Sequence, residues 1–122
     1  MEEIKTYKDL VVWQKSIQLV KEVYRLMQQL PSDEKFALAT QMKRSSVSVP
    51  SNIAEGWGRV STKDYLRFLR TARGSLYELE SQLIVCKELG FVANSEQANN
   101  LLVEVSKMLV SMINKIKARI ND

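Results

Sequence analysis

The chain has 122 residues, of which 45% are hydrophobic and 26% are charged, with a net charge of +4 and a pI near 9.3. A chain of this length forms one domain, spanning residues 1–122, that buries a core without the help of metals or disulfides. It contains no histidine and a single cysteine, Cys86. An intrachain disulfide and a zinc site of the usual nitrogen and sulfur type are therefore excluded, and the sequence predicts no metal and no cofactor.

The hydropathy pattern predicts a soluble cytoplasmic protein that does not associate with membranes. The first ten residues are too polar for a signal peptide. No apolar run approaches the roughly 20 residues that are needed to span a bilayer. Cys86 lies in an apolar row of helical spacing, where a free cysteine is usually a small buried hydrophobe, and this suits a reducing compartment.

The first predicted helix begins after Thr6, which is followed by Asp9 in the spacing of a capping box, and it ends before Pro31. Its main apolar row recurs at spacings of three and four and consists of Leu10, Trp13, Ile17, Val20, Tyr24 and Met27. A second set widens the stripe and consists of Val12, Leu19, Val23, Leu26 and Leu30. The width predicts contacts on more than one side of this helix, with Trp13 in the core.

The second predicted helix begins at Ser32, which has the side chain of an N-cap and is followed by Asp33 and Glu34, two acids that favour a helix N-terminus. Its predicted apolar face consists of Phe36, Leu38, Met42, Val49 and Ile53. Pro50 permits either a kinked continuous helix or a break with a new helix starting at the proline. Because the apolar spacing crosses Pro50 in phase, the kink is favoured.

The third and fourth helices have clearer limits. Ser61 and Asp64 form a second capping box, and Gly90 closes the third helix, whose apolar row is Tyr65, Leu69, Ala72, Leu76, Leu79, Leu83 and Cys86. Ser95 opens the fourth helix, with the row Ala98, Leu102, Val105, Leu109, Met112 and Ile116. No segment has the pattern of a strand. Four helices joined by short turns predict an all-α, up-down-up-down antiparallel four-helix bundle, with the second helix kinked at Pro50.

The whole charge excess lies in residues 43–73, which carry seven basic and two acidic side chains. The segment before it has no net charge and the segment after it is slightly acidic. A polyanionic partner would therefore contact residues 43–73. Lys63, Arg67 and Arg70 are spaced four and three apart and therefore share one face of the third helix. The candidates for nucleic-acid binding are Lys43, Arg44, Arg59, Lys63, Arg67, Arg70 and Arg73.

This basic row has two interpretations. Arginines without acids at matching positions are typical of surfaces that contact a phosphate backbone. The alternative is a solvated face, or arginines paired with acids of another helix or another subunit. Asp64 can reach Arg67 only from the N-terminal side, and Glu55 can pair with Arg59 at i,i+4.

The end of the second helix carries a motif of small and polar residues that consists of Pro50, Ser51, Asn52, Glu55, Gly56 and Trp57. Asn52 and Glu55 lack a nearby nucleophile or metal ligand, so a structural role at a kink or a subunit contact is favoured over catalysis. Gly56 and Gly58 flank Trp57 and end the helix. Trp57 either fills a gap at this turn or forms, with Arg59, a platform for an unstacked base.

With these residues in view, the chain resembles the four-helix-bundle proteins encoded in intervening sequences of bacterial 23S ribosomal RNA genes. The resemblance rests on the opening LVVWQK at 10–15, on the stretch 41–56 with its SVSVPSNIAEG core, and on FL at 68–69 followed by ARGSLYELE at 72–80. It covers about residues 7–90. The fourth helix matches only in its apolar pattern.

The resemblance implies a homopentamer, an RNA-binding role, and kinship with the accessory proteins of diversity-generating retroelements, which bind nucleic acid and a reverse transcriptase. It implies no catalytic residues, and with no histidine the sequence predicts a protein that is not an enzyme. We therefore expect an oligomeric bundle that binds RNA, or DNA, through phosphate contacts. The alternative is a scaffold or accessory subunit for a co-encoded enzyme such as a reverse transcriptase.

Overall fold

The computed structural model describes residues 3–121, which form four α-helices and no strand. Two short 3-10 turns, Tyr7–Asp9 and Ser32–Glu34, precede the first two helices. The helices are α1 (Val11–Met27), α2 (Leu38–Trp57), α3 (Thr62–Glu88) and α4 (Glu96–Asn121). The predicted all-α four-helix bundle is confirmed. Within the same residues, no helix has both the length and the apolar character needed to cross a membrane.

The four helices pack in a closed ring, in which each contacts its neighbours in the chain and α1 contacts α4. The directions follow from side-chain contacts at the two ends of one pair. The Cys86 sulfur near the end of α3 lies 3.4 Å from the Met42 sulfur near the start of α2. Gly56, near the end of α2, lies against residues at the start of α3. The helices α2 and α3 therefore run antiparallel, as a short connection between them requires.

The start of α1 differs from the predicted one. The Asp9 carboxylate accepts the backbone N–H of Lys5 at 2.9 Å and of Thr6 at 3.2 Å. This arrangement closes only one 3-10 turn, because Leu10 is extended and α1 begins after it at Val11. The capping box is present, but it caps the turn and not the long helix.

The two apolar rows of α1 have exchanged roles relative to the prediction. The row that was expected only to widen the stripe is buried in the core, and it consists of Val12, Leu19, Val23, Leu26 and Leu30. Of the predicted main row, only Met27 is fully buried. Trp13 is half-buried at the edge of the core, where its ring meets Tyr7 edge-on at 5.4 Å. The prediction that Trp13 is a core residue was wrong, because spacing alone gives two rows of equal period and no direction toward the bundle axis.

The start of α2 was also predicted too early. Ser32 lies inside a 3-10 turn that follows the extended Pro31, and the α-helix begins only at Leu38. Phe36 is 93% exposed and contributes nothing to the core. At the other end, α2 runs through Pro50 without interruption. The alternative of a helix break at Pro50 is therefore wrong, and a bend at the proline stays a prediction.

The apolar rows of α3 and α4 agree with the prediction almost residue for residue. Every predicted member of the α3 row is buried except Tyr65, which is half-buried, and Leu66 joins the core. In α4, Ile113 is buried where Met112 was expected, and Met112 packs half-exposed beside it. Gly90 ends α3 with a φ of 73°, a conformation that favours glycine.

Short polar side chains connect α2 to α3 along their length. The Ser45 hydroxyl donates to the Gln82 amide oxygen at 2.7 Å, and the hydroxyls of Ser48 and Ser75 are 2.7 Å apart. Within α2, the Asn52 amide donates to the Ser48 carbonyl at 2.8 Å. Small residues such as serine and glycine let two helices approach closely, and hydrogen bonds satisfy the polar groups that this approach buries.

At Gly56 the two helices lie too close together to admit a side chain. A Cβ added there would lie 2.8 Å from the Phe68 Cβ and 2.9 Å from Cδ1 of Tyr65. The Phe68 Cβ is fixed to the α3 backbone and cannot move without shifting that helix. A Cβ at Gly58, in contrast, meets nothing closer than a backbone oxygen at 3.7 Å.

We predict that Gly56→Ala destabilises the protein by about 1–3 kcal/mol, because the added methyl overpacks the α2–α3 contact. Gly58→Ala is the matched control, since Gly58 has a helical φ of −77° that alanine adopts readily. The control should leave the free energy of unfolding unchanged or raise it by about 0.4–1 kcal/mol. Urea unfolding followed by circular dichroism measures both. Equal stability of Gly56→Ala and the parent chain would contradict the packing argument.

Cys86 supports a second prediction. The side chain is fully buried, and burial, with a smaller contribution from Glu34, raises the pKa of its thiol. We expect a thiol reagent at neutral pH to label native Cys86 at least about 10³-fold more slowly than the urea-unfolded chain, since reaction requires global opening. Rapid labelling in native buffer would show that the site is open.

The raised pKa of the Cys86 thiol also makes the stability of the protein depend on pH. Because the native thiol holds its proton more tightly than the unfolded one, its contribution to stability is lost as the pH rises above 9.0.

Candidate nucleic-acid interface

The seven basic residues proposed from the sequence do not form one surface. Since α2 and α3 run antiparallel, Lys43 and Arg44 near the start of α2 lie far from Arg59, which follows its end. Fifteen residues separate Arg44 from Arg59, about 22 Å at 1.5 Å per residue. Arg73 lies further along α3 and is half-buried. The remaining candidates gather where α2 ends and α3 begins: Arg59, Lys63, Arg67 and Arg70, all exposed.

Two arginines of this group lie against one aromatic ring. The guanidinium carbon of Arg59 is 4.7 Å from the centroid of the Phe68 ring, and that of Arg67 is 4.5 Å from it. A guanidinium group is attracted to the electron-rich face of an aromatic ring, and it keeps its N–H donors available in its own plane. The contact favours positions of both side chains beside this ring.

Each of these arginines also has an acidic partner within its own helix or turn. Arg59 donates to the Glu55 carboxylate at 2.9 Å, which confirms the predicted i,i+4 pair. Arg67 Nε lies 3.7 Å from the Asp64 carboxylate, a looser ion pair. All four side chains are substantially exposed, so each pair is worth only a few tenths of a kcal/mol. Both partners are the acids that the sequence placed within reach of these two arginines.

The structure adds a cation from α4 that sequence reasoning assigned no binding role. Lys117 lines a surface cleft of about 350 Å³ together with Lys63 and Arg70 of α3, and Leu66 and Ile120 provide its apolar lining. We name this the α3–α4 cleft, and we call Arg59, Lys63, Arg67, Arg70 and Lys117 the basic end. The sequence showed Lys117 only as a cation near a helix C-terminus. Its position beside Lys63, 54 residues away in the chain, results from the packing of α4 against α3.

The other predicted cations lie in a different setting, between α1 and α2. The Lys43 ammonium is 4.9 Å from the centroid of the Tyr24 ring. Both Lys43 and Arg44 line an open depression of about 500 Å³ whose apolar part comes from Tyr24 and Val47. A mixed surface of cations and exposed aromatic side chains is typical of protein interfaces as much as of nucleic-acid contacts.

Trp57 and Asn52 have local structural partners. The Trp57 ring is half-buried and meets Tyr65 edge-on, with ring centroids 6.5 Å apart. This supports the interpretation that Trp57 fills the gap at the α2–α3 turn. Asn52 donates to Ser48 while Glu55 binds Arg59, so the two polar residues of the motif act on separate partners.

Arg119 on α4 influences the half-buried phenol of Tyr65. Burial raises the pKa of Tyr65, and the positive charge of Arg119 on α4 lowers it by a smaller amount. Arg119 therefore adds to the positive potential at the same end of the bundle. Across residues 3–121, no group of three or more His, Cys, Asp or Glu side chains is arranged to hold a metal ion.

Fold and surface together define a class: a small four-helix bundle whose positive charge is concentrated at one end. Residues 8–111 match the family model of the 23S rRNA-intervening sequence protein. The chain belongs to this family. A comparison with curated proteins finds no match.

A solved structure supports the same assignment. It is a protein of unknown function from the S23 ribosomal protein family of Bacteroides thetaiotaomicron, 28% identical to this chain. The match covers 85% of this chain and 96% of that chain, with a TM-score of 0.78. The similarity extends over the bundle and carries no assigned activity with it.

Proposed function

We propose that this protein is a non-enzymatic, oligomeric RNA-binding bundle that holds the phosphate backbone on its basic end. The observation that carries the proposal is the group of five cations around the start of α3, of which Lys63, Arg70 and Lys117 line one cleft. Phosphate contacts of this kind provide affinity with little base recognition. The family description names an intervening sequence of 23S rRNA, and this setting favours RNA over DNA as the partner in the proposal.

Oligomerisation is part of the proposal because α1 leaves apolar surface uncovered. Between α1 and α2 lies an open groove of about 290 Å³, here named the α1–α2 groove, whose apolar lining consists of Trp13, Ile17, Val20, Val47, Pro50 and Ala54. A second apolar depression of about 530 Å³ lies between α1 and α4 and includes Val11, Met108 and Met112. Exposed apolar patches of this kind are typical of subunit contacts. In a ring of subunits, such as the pentamer implied by the resemblance, several basic ends would act together on one RNA.

A second candidate function is a protein-interaction scaffold, and the same apolar grooves favour it. In that case Arg59 and Arg67, already paired with acids, would serve a protein contact. Salt dependence separates the two functions, because counterion release from several phosphates gives a steep loss of affinity with salt, whereas a packed protein interface is less sensitive.

The RNA-binding proposal predicts that the double variant Arg67→Glu/Arg70→Glu binds RNA at least about tenfold more weakly, whatever the RNA sequence. The variant should also show a shallower slope of log K against log salt, by about 1.4 for a single strand that loses two phosphate contacts. Fluorescence anisotropy with structured RNA, single-stranded RNA and duplex DNA measures both quantities. Circular dichroism verifies that helicity is retained.

The control for this experiment is Lys21→Glu/Lys87→Glu, which changes the net charge by the same amount at exposed positions on α1 and at the far end of α3. It should leave the salt slope unchanged. Equal losses of RNA affinity in the two double variants would show that the effect comes from net charge alone. That result would contradict the basic end as the interface. If the parent chain does not bind RNA even at low salt, the RNA-binding proposal is refuted and the arginines are assigned to a protein contact.

The oligomer proposal predicts that Val47→Glu, in the α1–α2 groove, lowers the mass in solution toward that of the 14.0 kDa chain, because a carboxylate cannot be buried unpaired in an apolar contact. Val60→Glu is the control, since Val60 is fully exposed on the α2–α3 connection. Size-exclusion chromatography with light scattering measures both variants. A monomeric parent chain, or the same loss of mass in both variants, would refute this interface.

A further inference from the structure

The α3–α4 cleft differs from the rest of the basic end in how its charges are arranged. Arg59 and Arg67 each have an acidic partner, whereas Lys63, Arg70 and Lys117 line one cleft to which the described residues contribute no acid. Among residues 3–121, no carboxylate lies within 4.0 Å of these three cations. Cations that share a small space repel one another, so the arrangement costs stability unless an anion offsets it.

The position of Lys63 increases this cost. It lies in the first turn of α3, a helix of 27 residues, where the helix dipole disfavours a cation and favours an anion. Lys117 is placed better, because it lies near the negative end of α4 and offsets part of that charge. The electrostatics of the cleft therefore call for a ligand that carries more than one negative charge.

The size and lining of the cleft restrict the ligand further. A volume of about 350 Å³ is enough for a single nucleotide, and Leu66 and Ile120 offer an apolar surface for a sugar or base. Along a strand, each internal phosphodiester carries one negative charge. A terminal phosphate monoester carries about −1.5 to −2 at pH 7.

We infer that the α3–α4 cleft binds the terminal phosphate of a nucleic-acid strand, with Lys63, Arg70 and Lys117 as its ligands and the adjoining nucleoside on Leu66 and Ile120. The inference rests on the proposed RNA-binding function and goes beyond it, because it assigns recognition of a strand end where the proposed function requires only phosphate contacts along the backbone. It also gives Lys117 of α4 a direct binding role.

The experiment compares one short single-stranded RNA in three forms, with a 5′-phosphate, with a 3′-phosphate and with hydroxyls at both ends, each labelled internally. We expect one phosphorylated form to bind about tenfold more tightly than the hydroxyl form by anisotropy. This preference should be lost in Lys117→Gln and in Arg70→Gln, so that each variant binds the phosphorylated and hydroxyl forms with about equal affinity. Whichever phosphorylated end is preferred supports the inference and identifies the end that the cleft accepts.

The matched control is Lys115→Gln, which removes the same charge from the same helix at an exposed position outside the cleft lining. It should keep the preference for the phosphorylated strand. Thermal unfolding of all three variants confirms that they fold. A preference that survives in Lys117→Gln, or is lost equally in Lys115→Gln, would overturn the assignment of these residues.

A pH series provides an independent measurement. The second ionisation of a phosphate monoester occurs near pH 6, so the preference should decline as the pH falls from about 7.5 to 5.5. The chain has no histidine, so no side chain with an ordinary pKa changes charge near pH 6. A preference that is constant across this range would contradict recognition of a dianion.

The outcomes distinguish the inference from the proposed function. Equal binding of all three RNA forms with a steep salt dependence would overturn the terminal-phosphate inference and leave the RNA-binding proposal standing. Absence of binding by any form at low salt would overturn both.

Discussion

The close approach of α2 to α3 is the constraint on which the rest of this structure depends. Gly56 lies against Phe68 and Tyr65 without room for a Cβ, and Ser48 meets Ser75 further along the same contact. Larger side chains at these points would push the helices apart. The same contact holds Phe68 at the surface, where it supports two arginines. The geometry of the basic end thus follows directly from helix packing.

The charge distribution gives the bundle a polarity that its net charge does not reveal. A net charge of +4 is modest for a chain of this length. The effect of this charge depends on where the cations lie, and the packing of α4 against α3 brings Lys117 to Lys63 and Arg70. Glu55 and Asp64 pair with two cations of this surface, whereas the described residues contribute no acid to the α3–α4 cleft.

The outer side of α1 connects the surface chemistry to assembly. Its half-buried row borders two apolar depressions, one toward α2 and one toward α4. A helix that buries one row inside its own bundle and leaves another row open is suited to contacts with a second chain. Repetition of a small basic end within an oligomer would convert modest monomer charge into a multivalent surface for a long polyanion.

The sequence by itself determined the number and type of the helices, the apolar rows of α3 and α4, and the segment that holds the charge excess. These features depend on local periodicity and capping, as the burial of Leu69, Leu76 and Leu109 illustrates. Only the tertiary structure decided which row of α1 faces the core, why Phe36 is excluded from it, and how Lys117 joins a cleft with Lys63. Periodicity defines the faces of a helix but not its rotation within a bundle, and contacts between distant residues arise only when the helices pack.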